Sequence, residues 1–484
     1  MRMRPSPRSG ITLAAKTSAA SDGKIRERRA AMDEKKTLTP EIIGRAIDAM
    51  RVTGALKFII AVAAIGFLFD SFDITIVAYA LPKIRQEFNL SPQQIGLAGS
   101  AALAGMGIGS WCWGWVADRW GRRVVFAATV LTFSVFTGIA GLAMSLGVLV
   151  GARFLTGLGL GGMVPIDQAL VTEYAPARIR GRVASMLPLC WPIGYFSAAG
   201  AALALVPQFG WRWLFAIGVL PAILAFIIRR KVPESPRWLA AQGRHEEARA
   251  SLAYVGVTDA DLEQARRDVA ALPQAPRAAE ASFGDLFSAD YARRVIHTWL
   301  LWFCSNFAAT GFSVWLPTIY STYYHIELTR TLLYSFIVAG TQVVARGCAV
   351  GVIDVFGRKT LIVVGYGFAG CAALAFTQAT TETSLLLTAM TYAFFQDIGS
   401  LAMTVYTPEV YPVKIRGKGA ALAMGWGRFG GMTSPLIAGV LIGAGSLVLV
   451  WWTIAAAMFL AGGLTLVLAY ETRGNLEAVS SGAA

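Results

Sequence analysis

The chain has 484 residues, of which 55% are hydrophobic and 15% charged, and its net charge is +14. Soluble domains carry about 25% charged residues, so this composition, with a mean hydropathy of +0.55, excludes a soluble enzyme or binding domain and indicates a polytopic membrane protein. Five scattered cysteines (Cys112, Cys190, Cys304, Cys348, Cys371) without CxxC spacing read as small core residues, and three isolated histidines offer no metal constellation, so no cofactor or metal is expected.

Residues 1–54 form a basic N-terminal tail, expected to be largely disordered up to residue 38, with Met32 an alternative start. Thr39-Pro40-Glu41 has the form of a helix start, with Pro at the first helical position. It predicts a short amphipathic helix over 41–51 on the inner membrane surface. Twelve apolar runs long enough to span a bilayer follow, near 55–80, 92–116, 123–144, 147–174, 182–206, 211–229, 295–320, 329–353, 360–379, 384–405, 417–443 and 447–470. They divide into an N-terminal six-helix bundle at 55–229 and a C-terminal one at 295–470. A linker at 230–294, helical around 243–256 and 259–271, joins them, and 471–484 is a tail. Arg119, Arg122, Arg123, Arg178, Arg180, Arg182, Arg229, Arg230, Lys231, Arg358, Lys359, Lys414, Arg416 and Lys418 all occupy alternate loops, which places both termini and the linker in the cytoplasm. This bias accounts for the net charge without nucleic-acid binding.

The predicted spans contain Asp70, Asp73, Asp167 and Asp397 against Arg153, Arg346 and Arg428. A charge at the centre of a spanning helix costs roughly 2.5–3.5 kcal/mol, so such residues face a cavity, a partner or a solute path. Asp70 and Asp73 share one face of the first span, and at about 1.5 Å per residue Asp70 lies about 20 Å beyond Lys57, near mid-bilayer. Burial and a like-charged neighbour suit the pair to binding a proton. Arg153 precedes Gly157, Gly159, Gly161 and Gly162 in the fourth span, where glycines allow helices to approach closely. Asp167 and Gln168 in the fourth span and Gln396 and Asp397 in the tenth are polar pairs at mid-depth. Arg428 in the eleventh either grips a substrate carboxylate bidentately or neutralises Asp397. Arg346 lies nearer the cytoplasm, placed to snorkel.

The two halves repeat one another. Asp118-x-x-Gly121-Arg122-Arg123 recurs as Asp354-x-x-Gly357-Arg358-Lys359, Glu173 as Glu409, and Arg180-Gly181-Arg182 as Arg416-Gly417-Lys418, each 236 residues later. Parallel repeats of this kind rock about a site at the bilayer midplane. Asn306 is the counterpart of Asp70 in the same register.

These motifs, with Pro233-Glu234-Ser235-Pro236-Arg237-Trp238-Leu239 and Pro408-Glu409-Val410-Tyr411-Pro412, resemble the major facilitator superfamily, in its sugar-porter-like branch. The resemblance covers about 55–472 and implies an all-α fold of two six-helix bundles working by alternating access. It implies a cytoplasmic gate of Asp118, Arg122, Glu173, Arg180, Glu234, Arg237, Asp354, Arg358, Glu409 and Arg416, the alternative being plain topology signals. Asp70-Ser71-Phe72-Asp73 is similar to the Asp-Gly-x-Asp of aromatic-acid:proton symporters, with Ser71 in the glycine's place. It implies proton coupling by Asp70, Asp73 and Arg153, the last being either a proton-transfer partner or a structural ion pair. Trp191 and Trp426 lie on helices that line the pathway in this fold, and with Asn306 they could sandwich a planar ring.

The expected function is proton-coupled symport of a small organic anion, aromatic or heteroaromatic, such as a hydroxybenzoate or nicotinate. The expected substrate-binding set is Asp167, Gln168, Trp191, Asn306, Gln396, Asp397, Trp426 and Arg428. Carriage of an organic cation or zwitterion ranks second, and sugar:proton symport third, because the seventh span lacks Gln-Gln-x-Ser-Gly and the lining is read as short of amides. No nucleophile–base set or nucleotide motif suggests an enzyme. The expected partners are a small-molecule substrate, protons and the lipid bilayer, with the protein monomeric in the inner membrane.

Overall fold

The computed structural model describes residues 37–271, 284–412 and 414–473, so most of the N-terminal tail lies outside the described residues. The described chain is helical throughout. By Cα packing it divides into a small unit (up to Lys57, Glu173–Ile179, Pro233–Pro273) and a large one (Phe58–Thr172, Arg180–Val232, Gln274 onward).

In the small unit, α1 (Pro40–Ala49) begins at an N-cap, Thr39, whose side chain accepts from the Ile42 amide, as the sequence predicts. Its apolar side chains Ile42, Ile43, Ala46 and Ile47 are buried against linker helices. The apolar face that would suit a membrane surface is thus covered by protein within the small unit. The remaining small-unit helices are α10 (Pro236–Ala241), α11 (His245–Val255) and α12 (Asp259–Ala270). The Pro-Glu-Ser-Pro-Arg segment is a helix start. Ser235 caps α10 by accepting from the Trp238 amide, and Tyr174 Oη donates to the Glu234 carbonyl at 2.8 Å.

The first half of the large unit contains α2 (Gly54–Phe88), α3 (Pro92–Trp120), α4 (Arg122–Gly141), α5 (Leu146–Tyr174), α6 (Ala177–Met186), α7 (Cys190–Phe209), α8 (Trp211–Ile217) and α9 (Pro221–Lys231). The expected fifth span starts at Arg182 but is interrupted by a 3₁₀ turn at Leu187–Leu189, and the sixth breaks before Pro221. In both places a proline removes a backbone donor. The glycines of α5 act as expected. A Cβ at Gly157 or Gly161 would run into the Ala102 or Met106 carbonyl of α3, so these helices meet backbone to backbone.

The second half contains α13 (Ala289–Thr322), α14 (Leu328–Phe356), α15 (Arg358–Phe376), α16 (Glu382–Glu409), α17 (Arg416–Gly443) and α18 (Leu447–Leu468). Ten helices among the described residues are long and apolar enough to cross a membrane. The seventh and eleventh expected spans fall on α13, with 34 residues, and α17, with 28, completing the twelve. The architecture is all-α, two six-helix bundles. Cys348 and Cys371 are exposed, so the reading of every cysteine as a core residue does not hold.

The halves are sutured on the side away from the basic loops. There Arg85 donates to Thr322 Oγ1 at 2.7 Å and Phe196 stacks on Phe336 at 4.4 Å. Glycine again sets the contact between α3 and α17, because a Cβ at Gly96 would collide with the Pro435 carbonyl.

Candidate functional site

A cavity of about 260 Å³ lies between the halves, and seven helices wall it. Each contributes residues at helical spacing. Phe67, Ile74, Thr75 and Ala78 come from α2, Gly99, Ala102, Leu103 and Met106 from α3, and Trp191 and Tyr195 from α7. Across from them stand Ser305, Asn306, Thr310 and Ser313 of α13, Gln342 and Arg346 of α14, Gln396, Asp397, Ser400 and Thr404 of α16, and Arg428 of α17. The wall of the first half is apolar and aromatic. The wall of the second half carries most of the polar groups, interspersed with Trp302, Val314, Met403 and Met424.

Two arginines reach this cavity, and they differ. Arg346 donates through Nε and Nη2 to Asp397 at 2.9 and 2.5 Å, a buried bidentate pair. The expectation that Arg346 snorkels towards the cytoplasm is overturned, as is the option that Arg428 neutralises Asp397: rotation of α14 turns Arg346 inward, where a carboxylate meets it. Arg428 donates to the Met106 carbonyl at 3.3 Å, and among the described residues no carboxylate is hydrogen-bonded to it. Its charge is offset only through space, by Asp70.

Asp73 is buried and held by Arg153, Nη1 to Oδ2 at 2.8 Å, with Thr137 donating to Oδ1 at 2.5 Å. Arg153 also donates to the Asp73 carbonyl at 2.9 Å. Of the partners considered for Arg153, the geometry selects Asp73. Asp70 and Asp167 are buried off the cavity wall, and none of their four carboxylate oxygens has a hydrogen-bond partner among the described residues.

Trp191, Asn306, Gln396, Asp397 and Arg428 meet at the cavity. Asp167 and Trp426 do not. Trp426 is 39% exposed and packs on Trp299 and Phe429, because it sits about 100° around α17 from Gly427. The side chain of Gln168 lies outside the described residues. Tyr195, Gln342, Ser400 and Thr404 were not anticipated, although each follows an anticipated residue by one turn or falls on its face. The polar wall also carries three amides, more than the sequence reading allowed.

Of the gate residues, Arg122 pairs with Asp118 at 2.8 Å one turn away. Arg358 pairs with Asp354 at 2.8 Å and with Glu409 at 3.1 Å, and Thr472 donates to Glu409. Arg416 donates to the Tyr411 carbonyl. Glu173, Glu234 and Arg237 lie in the small unit, and Arg180 opens the next stretch of the large one.

The profile of the family described as "Sugar (and other) transporter" matches residues 53–479. The niacin transporter NiaP of Acinetobacter baylyi is 33% identical over 78% of this chain and 85% of its own length. The 4-hydroxybenzoate transporter PcaK of the same organism is 31% identical over 80% of this chain and 85% of its own. The inward-open, partially occluded xylose transporter XylE of E. coli superposes with a TM-score of 0.69 at 19% identity, covering 86% of this chain and 100% of that one.

Proposed function

Because the chain belongs to the Sugar (and other) transporter family, a group within the major facilitator fold, we propose that it carries a small aromatic or heteroaromatic monocarboxylate together with a proton. Nicotinate and a hydroxybenzoate are the substrates that fit the reading. The observation that carries it is Arg428, a guanidinium at the cavity with no carboxylate bonded to it among the described residues, facing an aromatic and apolar wall. A ring would lie against Phe67, Trp191 and Tyr195 while its carboxylate takes the guanidinium, with amides and hydroxyls of the second half reading ring substituents. Arg346 is already neutralised by Asp397, so among the described residues Arg428 is the guanidinium at the cavity without a carboxylate bonded to it. That favours a monoanion over a cation and over a neutral sugar.

Substrate would enter between the halves, and their rocking would expose it to the other side. We place the protein in the inner membrane with both termini cytoplasmic, working as a monomer and without catalysis. The buried acids of the first half supply the proton coupling, with Asp73 held to Arg153. The test is uptake of labelled nicotinate into proteoliposomes under an imposed proton gradient, with unlabelled competitors. Competition by 4-hydroxybenzoate and not by xylose or carnitine is expected. Competition by xylose or carnitine alone would overturn the reading.

A further inference from the structure

Four aspartates are buried among the spans, and two of them are fully served. Asp73 has Arg153 and Thr137, and Asp397 has Arg346. Asp70 and Asp167, 0% and 1% exposed, have no donor for any carboxylate oxygen among the described residues. Burying one unpaired carboxylate without a donor is costly enough that the group neutralises instead. Two near each other cannot both carry charge.

They are near each other. A Cβ built at Gly66 would lie 3.1 Å from Asp167 Oδ2, and Gly66 is one turn before Asp70 on α2. The two carboxylates thus lie along one strip of that helix, within electrostatic reach of one another. On a wheel of about 100° per residue, Asp70 is about 60° from Phe67, which faces the cavity, and Gly66 is about 100° away on the same flank. Asp70 therefore stands between the cavity and Asp167. The other charged or titratable groups around it are Asp73 on its own helix, Arg153 on α5, Tyr195 on α7 and Arg428 on α17. Arg153 is committed to Asp73 and Arg346 to Asp397, which leaves Arg428, lining the same cavity as Phe67 and Met106, as the basic group on Asp70's side without a carboxylate bonded to it among the described residues. Among the described residues no three acidic, histidine or cysteine side chains cluster as metal ligands, so the fitting occupant is a proton.

We infer that Asp70 and Asp167 share the coupling proton behind the cavity, and that Asp70 and the substrate's carboxylate compete for Arg428. This rests on the proton-coupled reading above and deepens it by naming the proton's site and the route of coupling. With the proton bound, Asp70 is neutral and Arg428 is available to the substrate. When the proton leaves, Asp70 regains its charge and pulls Arg428 from the substrate. Anion and proton then bind cooperatively, each strengthening the other by the same factor. The transferred proton enters from outside water and is released on the cytoplasmic side; no bond other than O–H is made or broken.

The test is the affinity of purified protein for nicotinate as a function of pH, with proton uptake on binding read by an indicator dye. Wild type should bind more tightly as pH falls, by up to about tenfold per pH unit, taking up about one proton per nicotinate. Asp70→Asn should hold the tight affinity at every pH with no proton uptake, since nothing competes for Arg428. Asp167→Asn should need a lower pH than wild type to reach the tight affinity, since Asp70 loses the like-charged neighbour that helps it hold the proton. Opposite shifts of the two variants are not expected of a structural role. The inference is overturned if wild-type affinity is independent of pH or if Asp167→Asn behaves as wild type. It is also overturned if both variants, shown folded by a monodisperse elution profile, lose affinity alike. If either variant fails to fold, the proton count on wild type decides, and no uptake on binding overturns the inference. Failure of wild type to bind nicotinate at all would instead overturn the substrate reading, and the same titration with 4-hydroxybenzoate would then test the pair.

Discussion

The two halves of the large unit carry opposite surpluses of buried charge. The first buries Asp70, Asp73 and Asp167 against Arg153; the second buries Arg346 against Asp397, brings the half-buried Arg428 to the cavity, and buries Arg294 near the start of α13, where it donates to the Val410 carbonyl. Each half spends one acid and one base on an internal ion pair, Asp73–Arg153 in one and Asp397–Arg346 in the other. These two pairs do not superpose under the 236-residue repeat, because position 309 is Ala where Asp73 would recur and position 389 is Ala where Arg153 would. What remains around the cavity is two acids behind the wall of the first half and one base, Arg428, on the wall of the second. A proton suits the first remainder and an organic anion the second. The inherited symmetry gives the halves a common frame for rocking, and the broken symmetry gives them different cargo.

Breaking either ion pair should have the largest effect. Arg153→Ala or Arg346→Ala leaves a buried carboxylate unpaired, at a cost of roughly 3–5 kcal/mol. The neutral double replacement, Arg346→Gln with Asp397→Asn, should cost less. Thermal unfolding in detergent measures both, and equal losses would show that the pair's charge is not what matters. Arg428→Gln comes next. Hydrogen bonds to charged groups are worth about 1.5–3 kcal/mol, so nicotinate affinity should fall about tenfold to a hundredfold, with nicotinamide binding little changed. Loss of both ligands alike would mean a folding defect, which the comparison with nicotinamide is chosen to reveal. Trp191→Ala should weaken ring binding by about 0.5–1.5 kcal/mol beyond lost area. Trp426→Ala should leave affinity unchanged, since its ring packs on Trp299 outside the cavity. The smallest effects belong to the basic loops. Glu409→Gln removes a half-buried partner of Arg358 and should cost about 1 kcal/mol or less. Asp118→Asn, 74% exposed and one turn from Arg122, should cost about 0.2–0.5 kcal/mol.

Much of this was legible in the sequence. Length of apolar run, alternation of basic loops and the internal repeat lead to twelve helices in two bundles, and depth in the membrane singles out Asp70, Asp73, Asp397 and Arg428. Pairing was not legible. Depth along a helix follows from counting residues, but the neighbour a side chain meets depends on helix rotation and on which helices adjoin, so counting points Arg346 towards the cytoplasm whereas the fold turns it to Asp397. The same limit separates Trp191 from Trp426. Both stand on pathway helices, and only the first points inward. For α1, the apolar stripe is visible in Ile42, Ile43, Ala46 and Ile47, but a stripe of that kind suits lipid and protein equally, and only the packing of α12 against it decides.

The division of labour between the halves is tested most directly by measuring nicotinate counterflow beside gradient-driven uptake in proteoliposomes of Asp70→Asn and Arg428→Gln. Counterflow needs substrate binding and rocking, whereas accumulation also needs the proton. Asp70→Asn should keep counterflow and lose accumulation, and Arg428→Gln should lose both. Accumulation that survives in Asp70→Asn, or counterflow at wild-type affinity in Arg428→Gln, would contradict it.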